Sequence, residues 1–178
     1  MSHQELEECI KTYGTDIFSF CCQLTRSRQE AEDLYQDTFL KAMELLDRLD
    51  IQGNPKSCLL SVAVNLWRNR RRKAAIRLRI IGPQISTADM ETEIPERGPD
   101  VEEMYIDREE QRIVRDAVAA LPERYRMPVL LHYMEGLKVS ETASVLGVPA
   151  GTIKSRLYKA KRLLEKELEV VLNEAWDG

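Results

Sequence analysis

The sequence predicts an all-helical protein. Over residues 5–26 and 28–49, apolar side chains recur every three or four positions, which is the spacing of a helix that buries one face. Residues 139–161 have the pattern of two short helices joined by a tight turn. The alternation of apolar and polar residues that is typical of half-buried strands is scarce. A chain of 178 residues has room for one or two domains of this kind.

The second helix has a start signal and two contrasting faces. Ser27 followed by Glu30 has the spacing of a capping box, so we expect the helix to begin after Ser27. Its apolar stripe consists of Ala31, Leu34, Tyr35, Phe39, Leu40, Met43, Leu46 and Leu49, and its other face carries Glu32, Asp33, Gln36, Asp37 and Lys41. Paired carboxylates can indicate a metal site or acid–base catalysis, but neither a histidine nor a nucleophile accompanies them. A polar, solvated face is the simpler interpretation, and we expect neither a catalytic nor a metal site.

The third helix is predicted to follow a Gly-Asn-Pro turn at residues 53–55 and to start near Lys56. It ends in a polar and basic run, residues 65–73. Arginines interleaved with asparagines and one tryptophan suit phosphate contact combined with stacking or hydrogen bonding to bases. The alternative is a solvated basic end that favours the helix dipole.

Residues 74–106 show a shift in composition. Gly82, Pro83, Pro95, Gly98 and Pro99 stand among acidic residues, which predicts an extended, mobile linker. A helix is expected to resume over residues 101–120, and the next one to begin at Pro122. Pro128 is awkward inside that helix, so a kink or a boundary is expected nearby.

The two short helices near residue 147 have the signals of a helix-turn-helix. Ser140 is a candidate N-cap, Gly147 a left-handed C-cap, and Pro149 precedes the second helix. Ile153 and Leu157 recur at core spacing. The opposite face is basic and rich in hydrogen-bonding groups, which suits entry into the DNA major groove: Lys154, Ser155, Arg156, Tyr158 and Lys159. A surface helical hairpin with solvated lysines and arginines is the alternative.

Charge and cysteine content restrict the class of protein. A net charge of −4 argues against indiscriminate coating of nucleic acid, although the basic residues are clustered. We find no run long and apolar enough to span a membrane and no signal-peptide pattern, so we expect a cytoplasmic protein. The spacing of the four cysteines, Cys9, Cys21, Cys22 and Cys58, is not that of a CxxC motif, which favours buried thiols in a reducing compartment. Redox sensing and metal binding are the alternatives.

Four segments in order carry a resemblance to a known family. They are AEDLYQDTFLKA (residues 31–42), LLSVAVNLWRNRRRK (59–73), LPERYRMPVLLHYMEGL (121–137) and the helix-turn-helix. The chain resembles the small, extracytoplasmic-function (ECF) type of bacterial RNA polymerase sigma factor. The resemblance implies two helical domains, region two over residues 1–80 and region four over 107–178, joined by a linker over 81–106.

The resemblance also implies a role for each polar surface. Core polymerase binding is assigned to Asp33, Gln36, Asp37 and Phe39. Recognition of the minus-ten element, with a base flipped out of the non-template strand, is assigned to Asn65, Trp67, Arg68, Asn69, Arg71 and Arg72. Recognition of the minus-thirty-five element is assigned to Lys154, Ser155, Arg156, Tyr158 and Lys159. Trp67 has two interpretations, as a platform that stacks on an unpaired base or as a cover for its own domain.

Two residues depart from the family pattern. Cys58 stands where relatives usually carry a tryptophan, so the core beneath the third helix is expected to pack differently. Thr142 replaces a branched apolar residue in the first helix of the helix-turn-helix. If Thr142 is buried, its hydroxyl needs a partner, for which a backbone carbonyl one turn back is the candidate.

These observations predict a promoter-specificity subunit without catalytic activity, cofactor or metal. Its expected partners are core RNA polymerase, promoter DNA and an anti-sigma protein. We expect it to direct transcription initiation in response to a stress or envelope signal. Two other classes remain open: a dimeric helix-turn-helix regulator that binds an operator without polymerase, and an enzyme that uses the carboxylates near Asp33 and Asp37.

Overall fold

Helices form every regular element in the described part of the computed structural model, which comprises residues 3–25, 27–45, 54–81 and 105–176. Seven α-helices and one π-helical turn lie within these ranges, which contain no strand. The chain divides into two units, residues 1–96 and 97–178. The all-helical prediction is therefore confirmed. The predicted linker lies outside the described residues except at its ends, where one helix extends to Ile81 and the next begins at Tyr105.

The first unit contains three mutually contacting helices: α1 (His3–Leu24), α2 (Arg28–Glu44) and α3 (Pro55–Ile81). Its core is made of side chains that are almost wholly inaccessible to solvent: Ile17, Phe20, Leu34, Leu59, Leu60 and Val64. Burying each such side chain contributes about 1.5–3 kcal/mol relative to leaving it in water. The polar faces of α2 and α3 are consequently turned outward.

The starts of α2 and α3 are fixed by side-chain caps. The Ser27 hydroxyl oxygen accepts a hydrogen bond from the Glu30 backbone N–H at 3.2 Å, which confirms the predicted start of α2. The Asn54 amide oxygen accepts one from the Ser57 N–H at 3.2 Å, so α3 begins at Pro55, one residue before the predicted Lys56. Each cap satisfies a backbone donor that has no partner within the helix.

The second unit contains α4 (Tyr105–Ala120), α5 (Glu123–Val129), a π-helical turn (Leu130–Met134), α6 (Val139–Leu146) and α7 (Ala150–Trp176). The boundary expected near Pro128 is confirmed, because α5 ends at Val129 and the chain continues into the π-helical turn. That turn is closed by the Glu135 N–H, which donates to the Leu130 carbonyl at 2.9 Å. His132 then links the turn to the next segment, because its Nδ1–H donates to the Leu137 carbonyl at 2.7 Å.

The helix-turn-helix consists of α6 and α7. The residue that caps α6 is Lys138, so the predicted Ser140 cap is wrong. The Lys138 backbone N–H donates to the Glu141 carboxylate at 2.7 Å, which places the cap two residues earlier. Gly147 ends α6 with φ 68° and ψ 38°, the left-handed conformation that the sequence predicted. The Val148 N–H then donates to the Ala143 carbonyl at 3.1 Å and turns the chain into α7.

Thr142 lies fully buried in α6. Its hydroxyl has no hydrogen-bond partner among the described residues, so the predicted bond to a carbonyl one turn back is not made. By contrast, the buried Thr38 hydroxyl in α2 donates to the Leu34 carbonyl at 2.7 Å. Thr142 therefore carries the cost of desolvating a hydroxyl without the compensating bond.

We predict that Thr142→Val stabilises the protein. Valine keeps the shape of threonine and removes the unsatisfied hydroxyl, which should raise the free energy of unfolding by about 1 kcal/mol. Urea denaturation of the full chain, followed by circular dichroism, measures this change. The matched control is Thr38→Val, which removes a hydroxyl that does have a partner and should give no gain. A Thr142→Val variant as stable as the parent, or less so, would contradict the prediction.

Candidate nucleic-acid interface

A polar stripe runs along the basic end of α3. Asn65, Asn69 and Arg72 are spaced at i, i+4 and i+7, so they share one side of the helix, and all three are exposed. The Arg72 Nη2 donates to the Asn69 side-chain oxygen at 3.3 Å. Arg68 is half-buried beside this stripe. The structure therefore brings together both amides and two of the three arginines that the sequence singled out, Arg68 and Arg72.

Trp67 lies on a different side of α3, where it is only 5% exposed. The guanidinium of Arg71 covers its ring, with Cζ 5.0 Å from the ring centroid. The expectation that this indole stacks on an unpaired base is therefore corrected in favour of the second interpretation, in which Trp67 covers the core of its own domain. Stacking would require this packing to be dismantled.

The outward face of α2 carries Asp33, Gln36 and Asp37, all exposed as expected. Phe39 is only 7% exposed, and its ring packs edge-on against Tyr35 with the centroids 4.9 Å apart. The expectation that Phe39 lies at the edge of a binding surface is therefore corrected, because this ring belongs to the core.

Two apolar side chains that the sequence placed in the buried stripe of α2 are instead at the surface. Leu40 is 54% and Met43 is 41% exposed. Leu40 stands seven residues after Asp33, so both lie on the outward face. The spacing from Asp33 was the signal that could have placed Leu40 there.

An ion pair joins α2 to α3 beside these surfaces. The Arg70 Nη2 lies 2.6 Å from the Asp37 Oδ2. Both side chains are partly exposed, Arg70 by 37% and Asp37 by 52%. Because water screens such a pair, it contributes little to stability, about 0–1 kcal/mol. Arg70 is absent from the predicted site residues, and the pair places it beside the outward face of α2.

The basic face of α7 is exposed as the sequence predicted. Lys154, Ser155, Tyr158 and Lys159 are open to solvent and Arg156 is half-buried. Ile153 and Ala160 are wholly buried on the opposite side, which confirms the predicted core face. Tyr158 is 66% exposed, and its hydroxyl oxygen accepts a hydrogen bond from Arg162 Nη1 at 3.3 Å.

The four cysteines are thiols in the first unit, with Cys9 and Cys21 buried and the other two half-buried. Burial, assisted by the charges of Glu5 and Glu8, raises the pKa of the Cys9 thiol. Because the thiolate is the reactive form, this environment disfavours nucleophilic chemistry at Cys9. Among the described residues, no three or more histidine, cysteine, aspartate or glutamate side chains are grouped as metal ligands. The described helices also include none with the length and apolar character needed to cross a membrane.

In a comparison with known proteins, each of the two units matches a protein family model. Residues 9–76 match the family model of sigma-70 region 2, and residues 111–164 match that of sigma-70 region 4. The chain is 27% identical over 165 residues to the ECF RNA polymerase sigma factor SigW of Bacillus subtilis, covering 90% of this chain and 87% of that protein. It is 30% identical over 156 residues to the ECF RNA polymerase sigma factor SigL of Mycobacterium tuberculosis, covering 86% and 82%.

A solved structure shares the fold. It is the sigma factor RpoE of Bartonella quintana in complex with the anti-sigma factor NepR, which gives a TM-score of 0.72 at 23% identity and covers 94% of this chain and 98% of that one. Both units thus define a transcription initiation factor of the sigma-70 class. Within that class, the chain belongs to the extracytoplasmic-function family of RNA polymerase sigma factors. An operator-binding regulator that acts without polymerase would not explain the match to sigma-70 region 2.

We predict that the ion pair between Asp37 and Arg70 contributes little to folding. Asp37→Ala and Arg70→Ala should each lower the free energy of unfolding by less than about 1 kcal/mol, with a coupling of that size or smaller, because both side chains are partly hydrated. A double-mutant cycle by urea denaturation measures the coupling. The control cycle is Asp16 with Lys56, a pair at 2.7 Å whose lysine is only 15% exposed. A coupling above about 2 kcal/mol for Asp37 and Arg70 would contradict the prediction, since exposed pairs do not reach that size.

Proposed function

We propose that this sigma factor uses three exposed helix faces, one for polymerase and two for promoter DNA, with no catalytic chemistry of its own. The observation that carries the proposal is that polar and basic stripes stay exposed on α2, α3 and α7 while the opposite faces form the cores. Because core polymerase and promoter DNA are its partners, we place its action in the cytoplasm.

The outward face of α2 is the proposed contact with core polymerase. It combines Asp33, Gln36 and Asp37 with the exposed Leu40 and Met43. Protein interfaces usually combine apolar and polar side chains, as this face does. Phe39 is buried beneath this face, where it packs against Tyr35. We therefore propose that Phe39 supports the face without contacting polymerase itself.

The basic end of α3 is the proposed minus-ten contact. Asn65 and Asn69 present amides for base edges, while Arg68, Arg71 and Arg72 supply positive charge for phosphates. Flipping one base out of the DNA stack costs a few kcal/mol, so the contacts that the flipped base makes with the protein must offset that cost. Trp67 is left out of the contact surface because it is buried.

The exposed face of α7 is the proposed reader of the minus-thirty-five element. Lys154, Ser155, Arg156, Tyr158 and Lys159 project from a helix whose direction is set by the Gly147 turn. A recognition helix of this kind contacts base edges through residues near its N-terminus. Lys154 and Ser155 lie within the first two turns of α7, which supports their assignment.

The net charge of −4 supports a further element of the proposal, that tight DNA binding requires core polymerase. We also propose control by an anti-sigma protein that covers the polymerase- and DNA-binding faces and releases them in response to a stress or envelope signal. The solved sigma factors of similar fold support this partner. One is in complex with NepR, and another, CnrH, is in complex with the cytosolic domain of CnrY (TM-score 0.66).

Run-off transcription with core polymerase tests the proposed function. Added to core enzyme and a promoter library, the protein should produce transcripts that are absent without it. The same protein without core enzyme should bind duplex promoter DNA weakly. Tight duplex binding without any dependent transcript would overturn the proposal in favour of an operator-binding regulator.

We predict that Asn65→Ala impairs promoter opening while binding to core polymerase persists. Loss of one specific base contact is worth about 1–3 kcal/mol, which corresponds to a fall in opening of roughly fivefold to 150-fold. Permanganate footprinting measures opening, and fluorescence anisotropy measures core binding. The control is Gln4→Ala, which removes an exposed amide from α1. An equal loss of core binding in the Asn65 variant would show that Asn65 is structural.

We predict that Lys154→Ala weakens recognition of the minus-thirty-five element. Removing one phosphate or base contact should lower holoenzyme affinity for the element, and loss of a phosphate contact should reduce the salt slope by about one. Competition binding at several salt concentrations measures both effects. Lys166→Ala, at an exposed lysine of α7 outside the region 4 match, is the matched control and should change neither. Unchanged promoter preference in the Lys154 variant would contradict the assignment.

A further inference from the structure

The last turns of α3 extend beyond the core of the first unit. Every side chain from Lys73 to Arg77 is exposed, and five consecutive residues cover all sides of a helix. Arg79, two residues before the helix ends at Ile81, is exposed as well. We call residues 73–81 the arm of α3. The match to sigma-70 region 2 ends at residue 76, so the end of the arm lies outside that match.

The arm belongs to a helix with charges of one sign only. Of the 26 lysines and arginines, α3 contains eight, whereas it contains none of the 30 acidic residues. Among the described residues, no carboxylate pairs with Lys73, Arg77 or Arg79. Lys73 and Arg77 stand four residues apart, a spacing at which like charges repel and destabilise a helix. An anionic partner would remove this repulsion.

Arg79 continues the side of α3 that carries the proposed minus-ten residues. Asn65, Asn69, Arg72 and Arg79 are spaced at i, i+4, i+7 and i+14, which places all four side chains on one side of the helix. Two turns separate Arg72 from Arg79, a rise of about 10 Å. Arg77 lies almost opposite Arg79, because two residues correspond to about 200° of helical rotation.

We propose that Arg79 is a further DNA-binding residue, which holds a phosphate of the promoter backbone about 10 Å beyond the contact of Arg72. This inference rests on the proposed function of α3 in minus-ten recognition. A guanidinium suits a phosphate because its N–H donors can bind two phosphate oxygens at once. Such a contact fixes the register of the helix on DNA without reading sequence. The phosphate belongs either to the duplex flank or to the separated non-template strand, and the test distinguishes these two sources.

The position of Arg79 has a second explanation within the helix itself. Arg79 lies in the last turn of α3, where a positive charge interacts favourably with the helix dipole. The dipole acts within the last turn and so does not explain Lys73 or Arg77. The two explanations differ in their consequence for DNA binding, because only a phosphate contact releases a counterion when the complex forms.

The test measures the affinity of holoenzyme, assembled from core polymerase and the full chain, for fork-junction promoter DNA at several salt concentrations. Arg79→Gln removes the charge and keeps a good helix-forming residue. It should reduce the slope of log affinity against log salt by about 0.7–0.9, so that its loss of affinity is about threefold larger at about 50 mM than at about 200 mM salt. Arg79→Lys keeps the charge and should retain the slope. The matched control is Arg77→Gln, at an exposed arginine of the same arm, and it should leave the slope unchanged.

Neutral phosphates identify the partner of Arg79. The fork-junction DNA carries one methylphosphonate at a time across the minus-ten element and its duplex flank. At the partner phosphate, this change should lower the affinity of the unsubstituted protein and have no effect in Arg79→Gln, because both changes remove one contact. The position of that phosphate, in the duplex or in the single strand, gives its source. Arg72→Gln should have a different partner phosphate, because the two residues are about 10 Å apart along the helix.

Three results would overturn the inference and leave the proposed function intact. An unchanged salt slope in Arg79→Gln would leave Arg79 with no role beyond the helix dipole. Equal reductions in slope for Arg77→Gln and Arg79→Gln would mean that the charge of the arm acts without a specific contact. Weaker binding of Arg79→Gln to core polymerase in the absence of DNA would assign Arg79 to the polymerase interface. Failure of the unsubstituted protein to form open complexes with core polymerase would instead overturn the proposed function, and this inference with it.

Discussion

The burial of one apolar stripe per helix is the constraint on which both units depend. In α2 the stripe through Leu34 and Ala42 faces the other two helices, and the turn of the helix then forces Asp33, Gln36 and Asp37 outward. In α7 the burial of Ile153 and Ala160 exposes the basic side in the same way. The proposed contact surfaces are thus the helix faces that remain exposed once the core has formed. A substitution in a core stripe should therefore also rotate or displace these surfaces.

The features predicted correctly from the sequence depend on a few neighbouring residues. Ser27 caps α2 through a backbone N–H only three residues away, and Gly147 is required because it adopts a backbone conformation that other residues rarely tolerate. The family motifs, taken in order, identified both regions. The Lys138 cap was missed because it uses the Glu141 side chain, which reaches back to a backbone N–H, instead of a short polar side chain at the cap itself.

The site residues that were misplaced are aromatic. Trp67 lies seven residues after Leu60 and three after Val64, both fully buried, so helical spacing alone puts it in the core stripe of α3. Its basic neighbours suggested stacking on a base instead. Phe39 is similar, because its spacing from Leu34 and Tyr35 matches the core, whereas the family role of α2 suggested the surface. For both residues the helical spacing of apolar side chains predicted burial correctly, whereas the suggested binding role did not. The neighbouring helix that completes the burial cannot be identified from a local sequence pattern.

The arginine run of α3 is not a uniform patch of charge, because consecutive residues have different partners. Arg70 pairs with a carboxylate, Arg71 lies over an indole and Arg72 donates to an amide. The contact between Arg71 and Trp67 has a practical consequence. The sequence contains two tryptophans, and the emission of a buried indole depends on a charge held at about 5 Å from its ring. In a Trp176→Phe background, the emission of Trp67 would therefore report any event that draws the guanidinium away, with no attached dye.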